Sequence, residues 1–294
     1  MHLSPTSVVE QALARRELLG SAGGARASAL ARGRGWSVDD VICSFGPRDR
    51  PFEEKHNGAS VALVVAGTFQ YRISRVREVL VPGALLLGND GQSFECSHDH
   101  APGDRCLAFR FDDDYLQQIA ADAGMKERRF RVGRVPPVRD IARVAAAASS
   151  AIAGAAVMVW EELALELATS ALQLSNAESP AHAVPRGAEA RVSASVRAIE
   201  RAPADAHTIE SLADHAALSP FHYLRTFQRV TGITPHQFIV RSRLRAAATQ
   251  LASTGARIVD VAYGSGFGDL SNFNHAFRAE FGETPRQYRA HVSA

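Results

Sequence analysis

Thiol and imidazole side chains alternate in one short stretch of the chain, Cys96-Ser97-His98-Asp99-His100. On an extended strand every second side chain points to the same face, so Cys96, His98 and His100 would share a face. Cys106 follows after a turn and could approach them. Thiolates and imidazoles bind zinc and other soft divalent metals. Three interpretations remain open: a polar strand end with incidental thiols, a metal- or thiol-based sensor, and the lining of a small-molecule site.

A second group of residues combines arginine with apolar and amide side chains. After Ser219, the residues Tyr223, Phe227 and Val230 recur at the spacing of a buried helix face. The opposite face then carries Phe221, Leu224, Arg225, Gln228 and Arg229. Arginine binds O6 and N7 of guanine in the major groove, and apolar groups contact the thymine methyl group. The pattern predicts a DNA recognition helix.

A similar unit follows later in the chain. Phe227 and Phe277 are 50 residues apart, as are Gly232 and Gly282, which indicates an internal repeat. If Phe273 and Phe277 are buried, a polar set faces outward: Ser271, Asn272, Asn274, His275 and Arg278. These side chains suit base edges and phosphates. We expect a second recognition helix here.

Capping residues define the helices that position both groups. Thr208, Ser219 and Asp269 are each suited to begin a short helix. Pro235–Leu251 is predicted to be one long helix that holds the two recognition helices about one turn of DNA apart. Phosphate contacts are expected from Arg241, Arg243, Arg245 and Arg257.

The two units resemble the DNA-binding region of the AraC/XylS family of bacterial transcription regulators. In the first unit the matching residues are Ile209, Leu212-Ala213, Leu218-Ser219, Leu224, Phe227, Gly232 and Thr234-Pro235. In the second they are Ile258, Val261-Ala262-Tyr263, Gly266-Phe267, Asp269, Ser271, Phe273, Phe277, Gly282, Thr284-Pro285 and Tyr288-Arg289. The resemblance is strong over residues 191–291 and looser over residues 36–175.

This resemblance implies a C-terminal all-α domain with two helix-turn-helix motifs joined by a long helix. It also implies an N-terminal cupin-like domain for effector sensing and dimerisation. The family's base-reading positions fall on Phe221, Leu224, Arg225, Ser271, Asn272, Asn274 and His275. His275 stands where the family often has arginine, so the second helix is expected to bind more weakly or with a dependence on pH.

The front of the chain predicts a β-barrel over residues 36–112, because short apolar runs alternate with Gly and Pro turns. The fold class is therefore α+β multidomain. The strand-Pro82-Gly83-strand corner is typical of cupin jelly rolls. One set of residues would either line an effector cavity or fill the core: Val61, Leu63, Val65, Leu85, Leu87, Phe109 and Phe111.

Helices are expected over residues 113–175. Within 155–174, the residues Trp160, Leu163, Leu167, Ala171 and Leu174 form one apolar stripe. This stripe would either form a dimer interface or pack on the β-barrel. Residues 176–190 are expected to be a linker and residues 191–294 the DNA-binding domain. Residues 1–35 are interpreted as an N-terminal extension, part helical and part flexible linker.

Composition limits the choice of function. The net charge of the 294 residues is only +2, but from Arg186 onward there are 13 Arg and 9 acidic residues. Three cysteines and no apolar run of about 18 residues predict a cytoplasmic protein without a membrane span.

The leading hypothesis is a DNA-binding regulator, not an enzyme. Its partners would be double-stranded DNA, a second copy of the chain, RNA polymerase if it activates, and an unidentified small-molecule effector. No cofactor is assigned with certainty; a divalent metal such as zinc and a small-molecule effector both stay open. The competing hypotheses are a cupin-type enzyme or metal/thiol sensor with a fused helical domain, and an architectural DNA binder without an effector.

Overall fold

The computed structural model describes residues 5–152, 160–176 and 187–292. We call residues 5–176 the front region and residues 187–292 the helical region. The front region contains β1 (Ala25–Gly33), β2 (Trp36–Cys43), β3 (Phe52–Lys55), β4 (Ala59–Gly67), β5 (Phe69–Ile73), β6 (Val76–Leu80), β7 (Leu85–Gly88), β8 (Ser93–Ser97), β9 (Asp104–Phe111) and β10 (Arg134–Val135). Its helices are α1 (Pro5–Leu19), α2 (Asp113–Asp122), α3 (Ala142–Ile152) and α4 (Trp160–Ser175). The predicted α+β fold class is confirmed.

The strands form two antiparallel sheets. One has six strands in the order β1-β2-β9-β4-β7-β10, and the other has four in the order β3-β8-β5-β6. Pro82 and Gly83 connect β6 of the small sheet to β7 of the large sheet, and Gly83 has a φ of +86°. Glycine adopts this left-handed conformation without the steric cost that a Cβ would bring.

Strand β4 shows how the large sheet separates two cores. Val61 and Leu63 pack with α2, α3 and α4, whereas Ala62 and Val64 face the small sheet and the barrel interior. The proposed cavity-lining residues Val61, Leu63, Val65, Leu85, Leu87, Phe109 and Phe111 all belong to the core under the helices or pack against it. They fill this core and do not line a cavity inside the barrel.

The N-terminal segment differs from its interpretation as an extension with a flexible linker. The expected helix is present as α1, but β1 occupies most of the expected linker and pairs with β2 along its length. Its sequence lacks the β-branched and aromatic residues that mark strands, and most of its side chains are exposed. Pairing with β2 overrides this weak local preference.

The apolar stripe of α4 packs within its own chain. Leu163, Leu167 and Ala171 are fully or almost fully buried, in one cluster with Val38 and Val61 of the large sheet. This packing opposes the prediction that the stripe forms a dimer interface. The expected start of this helix at residue 155 lies outside the described residues, as do residues 177–186 of the expected linker.

The helical region begins at α5, Ala188–Arg201, which includes the last residues of the expected linker. It continues with α6 (Ile209–His215), α7 (Pro220–Thr231), α8 (Pro235–Ser253), α9 (Ile258–Gly264), α10 (Leu270–Phe281) and α11 (Pro285–Val292). Helix α8 is the predicted long connector. Its 19 residues span about 28 Å at 1.5 Å per residue.

Among the helices within residues 5–152, 160–176 and 187–292, none combines the length and the apolar character that crossing a membrane requires.

Candidate nucleic-acid interface

Helices α6 and α7 form the first helix-turn-helix unit, and local capping bonds define both helices. Thr208 Oγ1 accepts a hydrogen bond from the Ser211 backbone N–H at 3.0 Å, and Ser211 Oγ accepts one from the Thr208 N–H at 3.2 Å. Ser219 caps α7 by accepting from the His222 N–H, and Pro220 occupies the first helical position. Such caps satisfy N–H groups that have no partner within the helix.

The exposed face of α7 carries the predicted recognition residues. Tyr223 and Phe227 are fully buried, so the helix is fixed by its inner face, whereas Phe221 is 71% exposed. The Arg225 guanidinium carbon lies 5.6 Å from the centre of the Phe221 ring. At exposed sites such cation–π pairs contribute about 0.5–1 kcal/mol. The remaining members of the predicted set are half-buried or exposed: Leu224, Gln228 and Arg229.

Helices α9 and α10 form the second unit with a similar skeleton. Asp269 caps α10 by accepting a hydrogen bond from the Asn272 N–H at 2.6 Å. Phe273 and Phe277 are fully buried. All five predicted recognition residues of this helix are exposed: Ser271, Asn272, Asn274, His275 and Arg278.

The arginines of α8 face the protein rather than solvent. Arg241 donates to Pro137 O at 2.6 Å and to Glu280 Oε1 at 2.9 Å. Arg243 donates to two backbone carbonyls, those of Pro203 and Asp205. Two nitrogens of each guanidinium are therefore engaged within the protein, and phosphate contacts by Arg241 and Arg243 stay a prediction.

Two further arginines were also predicted to contact phosphates. Arg245 donates to Glu200 at 2.7 Å, so its donor is engaged within the protein as well. Arg257 is largely exposed but is paired with Asp260 at 2.7 Å. A phosphate contact by Arg257 stays a prediction.

The front region contacts the C-terminal ends of both recognition helices. Arg134 donates to Val230 O of α7 at 2.9 Å, and Arg241 links Pro137 to Glu280 of α10. The outward faces of the N-terminal halves of α7 and α10 remain exposed to solvent. In helix-turn-helix proteins, the N-terminal residues of the recognition helix contact the base edges.

The predicted thiol and imidazole group is arranged differently from the expectation. Strand β8 ends at Ser97, so the alternation of faces does not continue to His100, which lies 3.5 Å from Glu189 of α5. Cys96 packs in the barrel interior with Phe69 and Tyr71. Cys96 and His100 are therefore not brought together with His98.

Two residues that the sequence did not single out lie beside His98 instead. The β2–β9 register pairs Cys43 with Asp104, and their ligand atoms lie within 4.8 Å of each other and of the His98 ring. Cys106 donates from its thiol to Asp104 Oδ2 at 3.4 Å. Burial, and then the charge of Asp104, raise the pKa of Cys43 and of Cys106. The cluster of Cys43, His98 and Asp104 can be recognised only from the pairing of β2 with β9, which brings Cys43 next to Asp104.

Comparison with known proteins identifies the helical region. A family model described as a helix-turn-helix domain matches residues 212–291. The HTH-type transcriptional regulator Rv1931c of Mycobacterium tuberculosis (strain ATCC 25618 / H37Rv) is 38% identical over 84 residues, which are 29% of this chain and 32% of the relative. The RCS-specific HTH-type transcriptional activator RclR of Escherichia coli (strain K12) is 34% identical over 102 residues, 35% of this chain and 36% of the relative.

A solved structure also resembles this region. The DNA-binding domain of AdpA, in complex with a target DNA, is 26% identical, with a TM-score of 0.33, and the match covers 34% of this chain and 90% of that chain. The chain spans about a third of the length of the two curated relatives. The AraC-type resemblance is confirmed for the helix-turn-helix domain.

Proposed function

We propose that this protein is a sequence-specific, DNA-binding regulator of transcription of the AraC type. The observation that carries the proposal is the exposed N-terminal half of α7, where Phe221 and Arg225 project from a helix whose opposite face is fully buried. A single exposed apolar side chain is common on protein surfaces, but here the 71% exposed Phe221 ring is paired with the Arg225 guanidinium at the start of a capped helix. Contact with thymine methyl groups and guanine in the major groove gives both side chains a partner.

Both recognition helices would enter the major groove by their N-terminal ends. The long α8 connector would set their separation, and we expect homodimers to bind paired half-sites. Contact with RNA polymerase would apply if the protein activates transcription. We expect the front region to sense an effector, because it is linked to both recognition helices: Arg134 bonds to α7, and Pro137 is connected to Glu280 of α10 through Arg241 of α8.

The competing hypothesis is a cupin-type enzyme with a fused helical domain. Inside the barrel, the His56 ring nitrogen Nε2 lies 2.7 Å from the Tyr71 hydroxyl. Burial, and then the charge of Arg110, lower the pKa of His56 to about 4, so its ring is neutral near pH 7. A ring with a pKa this far below 7 is a weak base, and its Nε2 is already hydrogen-bonded to Tyr71, which favours the regulator hypothesis.

A gel-shift experiment tests the proposed function. The full chain is incubated with the DNA upstream of its own coding region and with sites selected from a random duplex pool, in excess non-specific competitor. We expect a competitor-resistant complex that Arg225→Ala weakens. Arg48→Ala, which removes an exposed arginine from the front region, serves as the charge-matched control. Absence of a specific complex, or no effect of Arg225→Ala, would overturn the proposal.

A further inference from the structure

At one end of the barrel, three potential metal ligands converge beneath the N-terminal helix, and the thiol of Cys106 lies beside one of them, Asp104. Cys43 ends β2, Asp104 begins β9, His98 follows β8, and Cys106 lies two residues into β9. The side chains of His98 and Asp104 are 1% and 7% exposed, and Cys43 is also buried. Different strands therefore deliver thiols, an imidazole and a carboxylate to one protected place.

We propose that Cys43, His98 and Asp104 bind a zinc ion. In a tetrahedral zinc site with bonds of about 2.3 Å to sulfur and about 2.0–2.1 Å to nitrogen, those two donor atoms lie about 3.5 Å apart. The distance from Cys43 Sγ to His98 Nε2 is 3.5 Å. Asp104 Oδ1 lies 2.6 Å from His98 Nε2, so it moves outward by less than about 1 Å to coordinate the same ion.

The charges of the group also favour a cation. Asp104 is a buried carboxylate. Within the described residues, its one ion-pair partner is His98. A buried carboxylate next to thiols is costly without a compensating positive charge. When zinc binds, the Cys43 thiol releases its proton to solvent as the zinc–sulfur bond forms, and thiolate and carboxylate together neutralise the ion. Thiolate and imidazole donors favour zinc over magnesium or calcium.

The site touches the elements that lead to the recognition helices. Gly103, with a φ of +70°, lies so close to α1 that a Cβ would be 2.7 Å from Val9. In the same loop, the His100 carbonyl accepts a hydrogen bond from Arg197 of α5 at 2.9 Å. Helix α5 packs against α7 in one apolar cluster. If the proposed DNA-binding function holds, zinc would change DNA affinity through this loop and α5.

Metal analysis of the full chain tests the site. The protein is purified with a phosphine reductant, stripped with a chelator, re-supplied with zinc, and its bound zinc is measured by mass spectrometry after gel filtration. We expect one zinc per chain in the unaltered protein. Cys43→Ala and Asp104→Asn should bind zinc at least about tenfold more weakly. His100→Ala, from the same loop but outside the proposed ligand set, should bind normally.

Each outcome separates the site from the proposed function. Circular dichroism of the zinc-free variants establishes that they are folded. A zinc-free unaltered protein, or unchanged binding in folded Cys43→Ala and Asp104→Asn, would overturn the site. Loss of zinc in folded His100→Ala would overturn this ligand set in favour of the group expected from the sequence, Cys96, His98, His100 and Cys106. If zinc binds as expected but leaves specific DNA affinity unchanged, the site stands and its regulatory role fails. If specific DNA binding is absent with and without zinc, the DNA-binding function fails alone.

Discussion

The two helix-turn-helix units share their buried skeleton but differ at the exposed start of the recognition helix. Phe227 and Phe277 occupy equivalent buried positions, and Gly232 and Gly282 end both helices with φ near +80°. Helix α7 begins with a neutral serine cap, whereas α10 begins with the carboxylate of Asp269. The two copies therefore differ more at their exposed starts than in their buried cores.

This difference has an electrostatic consequence. The N-terminus of a helix carries partial positive charge and attracts phosphate. At α7 that attraction is left intact, and Arg225 adds a full charge less than two turns later. At α10 the Asp269 carboxylate stabilises the helix but opposes the approach of phosphate. We therefore expect the first unit to dominate both affinity and base preference.

The largest expected effect tests whether the two cores are equivalent. Phe227→Ala and Phe277→Ala should each lower the free energy of unfolding by about 3–5 kcal/mol, because each leaves a cavity at a fully buried site. Urea unfolding followed by circular dichroism measures this. The exposed Phe221→Ala is the control and should change stability by no more than about 1 kcal/mol, the contribution of its contact with Arg225. A cost below about 1 kcal/mol for either buried residue would contradict their equivalence.

Substitution of the helix-ending glycines should cost different amounts of stability in the two units. Gly282→Ala should cost about 1–2 kcal/mol, the penalty of a left-handed alanine. Gly232→Ala should cost about 1–3 kcal/mol more, because its Cβ would lie 2.6 Å from the Pro136 side chain whereas nothing lies within 4 Å at Gly282. Adding Pro136→Ala to Gly232→Ala should remove most of this excess. Equal costs for the two glycines would contradict the close contact.

The recognition residues themselves should have unequal effects. Arg225→Ala should reduce discrimination against a wrong base by about 1–3 kcal/mol, the contribution of one bidentate contact. His275→Ala should reduce it less. Dissociation constants for a selected site and its single-base variants, at fixed salt, measure both. Equal losses would break the proposed asymmetry between the two units.

Exchanging the capping residues should give the smallest effect and the sharpest test of the charge argument. Ser219→Asp should weaken DNA binding and Asp269→Ser should strengthen it, each by about 0.3–1 kcal/mol. Stability should change little, because both residues are good helix caps. Fluorescence anisotropy at two salt concentrations measures the change and its screening. Changes of the same sign would show that the caps do not act through charge.

The helical region was predictable because its signals are local. Ser219-Pro220 at the start of α7 and Gly232 at its end fix the helix within a few neighbouring residues, so the sequence alone located both boundaries. The exposed and buried faces of α7 and α10 follow from the helical period. The bonds of Arg241 to Pro137 and Glu280 were not predictable, because they join segments far apart in the chain.

The front region was less predictable for the same physical reason. Strand β4 is apolar on both faces. The sequence therefore does not say which face packs against the helices and which packs against the second sheet. The residues around His98 depend on the pairing of Cys43 with Asp104, which is set by strand register. Strand β1 was missed because its alanines and arginines carry almost no strand signal.

Strand β1 also affects how the molecule behaves among copies of itself. It forms an edge of the large sheet, and such an edge is a template on which another chain can add a strand. Arg26 and Arg32 place positive charges along it, and an irregularity between Ala29 and Ala31 interrupts its regular hydrogen-bonding pattern. Charge and a bulge both discourage lateral growth of a sheet. The composition that hides β1 from sequence analysis thus protects the protein against aggregation.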